Sequence, residues 1–183
     1  MKRIVILVLA LLLIAIPAFA NRYSWTISAS PTMPYVHTGG LAAPGLGHLY
    51  LWYFCSQGGG MSAADFGLAA TGVVFAGFST LNGFLNAGSG TNLLLAVGGC
   101  PSGMVVAGDI AVLYFGGAGS LCIVNSINDI RVTVDCTSPT PSAWDIHATG
   151  WNALTPPACS EILDCRPDAV EPYHWGAIKS LYR

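Results

Sequence analysis

Charge is the commodity this sequence has least of. Its 183 residues include seven Lys and Arg and nine Asp and Glu, and between Arg22 and Asp109 the one such residue is Asp65. That scarcity excludes the basic patch needed by a nucleic-acid binder or a protein held on an anionic membrane surface. It also leaves few candidates for chemistry by paired carboxylates. Catalytic motifs are missing as well: there is no GxSxG elbow, no HExxH, no GxxxxGK[ST] and no GxGxxG opening a helix. Gly45-Leu-Gly47 precedes a strand-like run and reads as a turn. No convincing amphipathic helical stripe and no internal repeat of fixed period occur, which argues against a helical or solenoid architecture.

One long apolar run is present. Lys2 and Arg3 precede an unbroken apolar stretch from Ile4 to Ile16, followed by Pro17-Ala18-Phe19-Ala20. A basic head, a short apolar core and a small-x-small end form a secretory signal peptide, with cleavage expected after Ala20. Residue 21 is Asn and not Cys, so lipid attachment at a new N-terminal cysteine is not expected. The remaining 163 residues keep five basic and nine acidic side chains, a formal net charge of -4. A chain of that size supports one domain that buries about 70% of the surface its unfolded form exposes. Residues 66–108 carry no Asp, Glu, Lys or Arg, but Gly72, Gly77, Asn82, Gly83 and Gly88 interrupt them. With no apolar run of about 18 residues there, a membrane span in the mature chain is not expected.

What fills the chain instead is short strands and glycine turns. Residues 29–47 are rich in Pro, Gly, Ser and Thr and read as an irregular lead-in within 21–47. His48–Cys55 is a strongly aromatic, apolar strand, followed by a turn at Gln57-Gly-Gly-Gly60 and an alternating strand from Ser62 to Leu68. Val73–Phe78, Asn92–Val97, Asp109–Phe115, Ser120–Val124 and Ile130–Asp135 add five, with weaker candidates at Ser24–Ser28 and Trp144–Thr149. Seven to nine short strands separated by turn signals predict an all-β, antiparallel β-sandwich over 48–150. Residues 151–183 read as a Pro-rich, disulfide-tied segment and tail. Trp144, Trp151 and Trp175 fall in this less regular third, where they can plug the open ends of the sandwich.

Six cysteines, Cys55, Cys100, Cys122, Cys136, Cys159 and Cys165, in an exported chain predict three disulfides, with 15 connectivities open to them and only local geometry to favour one. If Ser120–Val124 and Ile130–Cys136 form a hairpin, Cys122 faces Cys136. Cys159 and Cys165 then clip a loop, and Cys55 pairs with Cys100. A metal site of Cys159, Cys165 and His147 or His174 is the rival reading, disfavoured because no CxxC or HxxxH spacing is present. No metal and no cofactor are assigned.

The aromatic strand supplies the candidate binding residues. A period of two puts Leu49, Leu51, Tyr53 and Cys55 on one face and His48, Tyr50, Trp52 and Phe54 on the other. An exposed Tyr50 and Trp52, beside His48, make a flat platform for a sugar ring or a partner's apolar patch. The alternative, favoured for large aromatics in general, is that both faces are buried under the N-terminal segment or the C-terminal loop. Asp65 can bind a cation with backbone oxygens, but a solvated strand charge that discourages edge pairing is the stronger reading.

Ser62-Ala-Ala-Asp-Phe66, the Gly-rich strands after it, Gly99-Cys100-Pro101 and Gly108-Asp109-Ile110 resemble secreted proteins of uncultured bacteria with a cohesin-like or carbohydrate-binding-module-like sandwich. The tail from Trp175 to Arg183, WGAIKSLYR, is similar to tails of the same group. The resemblance implies a protein-binding sandwich; cohesins engage a calcium-loaded dockerin. The six cysteines depart from the cohesin pattern, and no contact residue carries over. The resulting expectation is an exported, non-catalytic module that binds a glycan or protein at the cell exterior. A structural or adhesive subunit able to self-associate, and a secreted hydrolase, are the alternatives.

Overall fold

The structure, a computed structural model, describes residues 23–54, 60–136, 141–157 and 159. The leader expected at 1–20 and the tail with His174 and Trp175 lie outside the described residues. Eleven strands run in chain order: β1 (Tyr23–Ser28), β2 (Gly45–Phe54), β3 (Met61–Thr71), β4 (Val73–Thr80), β5 (Phe84–Asn86), β6 (Asn92–Val97), β7 (Val105–Tyr114), β8 (Ser120–Val124), β9 (Val132–Asp135), β10 (Ala143–Thr149) and β11 (Trp151–Asn152). No helix occurs among the described residues, hence none long and apolar enough to cross a membrane.

Two layers result. In the first sheet the order is β10-β1-β2-β7-β4, and in the second β3 is central, with β6 and then β5 on one side and β8 and β9 on the other. Strand β10 belongs to both: Ala143–Asp145 pair antiparallel with β9, while residues 146–149 pair parallel with β1. This shared strand closes one side of the sandwich in a barrel-like way. The parallel β1–β10 ladder makes the sheet mixed, so a purely antiparallel, Ig-like sandwich describes it only loosely.

Alternation along the strands builds the core. Leu49, Leu51 and Tyr53 from β2 and Ile110 and Val112 from β7 meet Phe66 and Leu68 from β3 and Leu93 and Leu95 from β6, all nearly inaccessible. Trp25 of β1, fully buried, sits at the centre with ring centroids 5.3 Å from Tyr53 and 5.1 Å from Phe66. Its indole N–H donates to Thr133 Oγ1 of β9 at 2.9 Å, joining the two sheets and satisfying the one polar atom of the ring. Such a side chain contributes about 3 kcal/mol by burial alone. Trp151 is likewise fully buried, edge-on to Tyr114 and donating to the Gly39 carbonyl at 2.7 Å.

The cysteine pairing differs from the sequence expectation, and strand register explains why. Strands β8 and β9 do not form a hairpin. Both lie antiparallel to β3 along one edge, β8 opposite Gly67–Thr71 and β9 opposite Met61–Asp65. Residues 125–131 bulge outward and the chain then continues in its original direction. Cys122 sits opposite Ala69 while Cys136 follows the residue opposite Met61, about 26 Å away along the ladder and far beyond disulfide reach. Cys136 bonds instead to Cys100, and Cys122 to Cys159, each with Cα atoms 5.9 Å apart. The pairs Cys122–Cys136, Cys55–Cys100 and Cys159–Cys165 are therefore all corrected; Cys55 and Cys165 themselves lie outside the described residues. Cys159, being oxidised, supplies no thiolate to a metal, and no group of three potential ligands is assembled among the described residues.

Candidate binding faces

The outer face of the first sheet carries the aromatic row singled out in the sequence. It does not stay together as a platform. Trp52 is 7% exposed and donates its indole N–H to the Ser30 carbonyl at 3.1 Å, so the lead-in covers it. Phe54 is buried beneath the edge of Tyr35, ring centroids 5.9 Å apart. The cover is held by its own polar groups: Ser28 Oγ donates to the Met33 carbonyl, and the N–H groups of Thr32 and Met33 donate to Ser30 Oγ. Tyr50 is half-buried and His48 exposed; His48 Nδ1 lies 2.8 Å and 3.0 Å from the two carboxylate oxygens of Asp109 on β7.

His37 closes the other end of the cover. Its Nδ1 lies 3.1 Å from the Ile27 carbonyl and 3.2 Å from Thr26 Oγ1. A carbonyl only accepts, so the ring proton sits on Nδ1. Burial pulls the His37 value below the ordinary 6.5, and the bond to Ile27 works against that pull.

The second sheet's outer face is of another kind. Three cross-strand rows cover it: Leu85, Ala96, Ala63 and Val134; then Leu94, Asp65 and Val132; then Asn92, Gly67 and Val124. Leu85 is 70% and Leu94 42% exposed, and the rest are small or β-branched. In the middle stands Asp65, one charge in a field of apolar side chains. It is neither solvated nor at an edge, since β3 is paired on both sides. At 9% exposure its Oδ2 accepts from Asn128 Nδ2 at 3.3 Å, while its Oδ1 is buried without a hydrogen-bond partner.

The loop of residues 125–131 delivers Asn128 to that carboxylate. Two contacts seat it. The Ile127 N–H donates to Asn92 Oδ1 at 2.7 Å, and Asn125 Nδ2 donates to Asp129 Oδ1 at 2.9 Å. Gly67 makes room, because a Cβ there would fall 2.5 Å from the Asn125 carbonyl oxygen. On the loop's far side a cleft of about 450 Å³ opens toward β10, lined by Asp129, Arg131, Asp145 and His147 over Val132 and Ile146. Sequence reasoning saw Asp65 as isolated and missed this loop. The signal was Asn125-Ser-Ile-Asn-Asp129, a cluster of turn-forming residues between two strand patterns.

No protein-family model and no curated protein sequence matches the chain. Solved structures do. The seventh ScaB type I cohesin from Pseudobacteroides cellulosolvens superposes with a TM-score of 0.55 at 11% identity, covering 79% of this chain and 97% of that one. The sixth cohesin of scaffoldin B from Acetivibrio cellulolyticus, in complex with a mutant Cel5 dockerin, gives 0.53 at 12%, covering 73% and 98%. A type I cohesin–dockerin complex from Clostridium thermocellum gives 0.51 at 6%, covering 72% and 92%. At these identities the likeness is one of architecture: this chain has the fold of a cohesin-like β-sandwich.

Proposed function

We propose that this protein is an exported, non-catalytic module that binds another protein, and that it docks through the outer face of the second sheet. The observation that carries this reading is Asp65: a carboxylate oxygen buried without a partner at the centre of a flat, otherwise uncharged face. An unsatisfied buried acceptor costs about 1–3 kcal/mol, a cost recovered when the carboxylate turns outward to meet a hydroxyl or N–H donor that a partner brings. The apolar rows around it supply area, and the absence of other charges there keeps desolvation cheap. The cohesins of similar fold include two captured with dockerins, which makes a protein ligand the natural class. A glycan reading loses support with Trp52, whose ring the lead-in covers, although Tyr50 beside His48 remains at the surface. The two disulfides among the described residues suit an oxidising compartment, as the leader pattern at 1–20 implies.

The test is a binding survey of the purified, oxidised protein by calorimetry, against calcium-loaded type I dockerins and against soluble polysaccharides. Expected is saturable binding to a protein ligand that Asp65→Asn and Leu94→Lys each weaken at least tenfold. Retention on polysaccharide alone, lost in Tyr50→Ala, would overturn both the ligand class and the face.

A further inference from the structure

We propose that β4 is a self-pairing edge, through which two copies of this protein join their first sheets into one across a two-fold axis. Strand β4 ends the strand order and pairs only with β7 among the described residues, so its other edge presents open N–H and C=O groups. Natural edges are usually guarded by Lys, Pro, a bulge or short length. This one is eight residues, VVFAGFST, with no Lys or Pro, and its one guard is the bulge between Phe75 and Gly77.

Its one irregularity favours a second copy. The register against β7 shifts between Phe75 and Gly77, so the inside–outside alternation changes phase there. Val74 and Ser79, opposite Leu113 and Asp109, both belong to the outer face; Phe75 and Phe78 both pack toward the core. An antiparallel pair of identical β4 strands centred on the bulge sets Val74 against Ser79 of the other copy, and Phe75 against Phe78. Like faces meet like throughout. A regular strand in the same register would set inner residues against outer ones, because directly opposed residues share a face.

The surface beside the edge points the same way. Leu46, Leu113 and Val74 stand in one cross-strand row, 59%, 37% and 54% exposed, with Phe115 just beyond at 69%. No Asp, Glu, Lys or Arg occurs in 41–47, 73–80 or 110–119. The charge next to the seam, Asp109 opposite Ser79, already has His48 Nδ1 2.8 Å from its carboxylate, so neither side buries an unpaired charge. An edge-to-edge pair of eight-residue strands buries the two edges with Val74 and Ser79 and leaves Leu46, two strands in, outside it, so the contact is a small one of the weak, reversible class. Identical edges on a two-fold axis close at the dimer.

Sedimentation velocity on the oxidised protein, from micromolar to about millimolar, tests this independently of the docking face on the other sheet. Expected is a concentration-dependent monomer–dimer equilibrium, weakened at least tenfold by Val74→Lys and by Ser79→Lys and unchanged by Leu85→Lys. Both tested sites are solvent-exposed, so circular dichroism should match the wild type. Register is read by cross-linking: a mixture of Val74→Cys and Ser79→Cys copies should form a disulfide-linked pair that neither forms alone. A wild type that stays monomeric throughout, variants that associate like it, dispersal by Leu85→Lys, or open-ended oligomers would each overturn the proposal.

Discussion

The two outer faces of this sandwich solve the same problem in opposite ways. Each sheet has apolar residues pointing away from the core. On the first, an irregular segment folds over the far half, and Trp52 and Phe54 become a second, shallow layer of interior. On the second, small residues leave little to cover, and a seven-residue loop reaches only far enough to satisfy one oxygen of Asp65. Large aromatics therefore mark the covered face and small side chains the open one. The position of a big ring in the sequence is a poor guide to where a partner lands.

The largest expected effect tests what holds the second sheet to the C-terminal segment. Replacing Cys122 and Cys159 by Ala together should lower stability by about 4 kcal/mol in the chain-entropy model, since the bond spans 37 residues. Urea denaturation of the purified variant measures it; an unchanged midpoint would mean that the bridge closes nothing the fold does not already close. Next is the cover on the first sheet. Trp52→Ala should cost about 3 kcal/mol, and Tyr50→Ala less than about 1, because one ring is interior and the other lies at the surface. Equal costs would show that the cover does not form. On the second sheet, Gly67→Ala should cost about 1–3 kcal/mol by pressing on the Asn125 carbonyl. Faster amide exchange confined to 125–131 would report the displaced loop.

The smallest effect belongs to His37, and its sign follows from linkage. The folded protein holds its pKa below the unfolded value of 6.5, so the unfolded chain takes up the proton more readily. Stability is intact above about pH 6.5 and is lost as pH falls through the lowered folded value. Thermal melts of His37→Gln, which cannot titrate, should be flatter between pH 7 and 5 than those of the wild type. Identical slopes would place the sensitivity elsewhere.

How much of this was readable beforehand depends on the range of the contact. Asn92–Val97 and Ser120–Val124 match their strands end to end, because alternation and flanking turns are local. Phe84–Asn86 and Trp151–Asn152, three and two residues long, are too short to show a period and were missed. Strand β7 starts at Val105, four residues before the expected Asp109, since Val-Val-Ala-Gly carries no alternation to read. The weak candidate at Ser24–Ser28 is strand β1, paired on both sides, whose polar Ser24, Thr26 and Ser28 are all buried in the structure. The disulfides failed for a different reason: two adjacent strand patterns read as a hairpin, and only the third strand beside them shows that the chain does not turn back. Asp65 was visible as a lone charge. That a loop some sixty residues later would half-satisfy it was not.

The two disulfides among the described residues have a mechanical consequence. The loops they close, 100–136 and 122–159, interleave, so each bond crosses the span of the other. If tension enters from the two ends of the chain, the backbone between Cys100 and Cys159 cannot be drawn out as one thread. The load must cross through sulfur and run backward along 122–136, the shortest backbone between the two bonds, so β8 and β9 carry it while β7 and β10 lie on longer, slack branches. Reduction would then appear as a longer extension before the force rises.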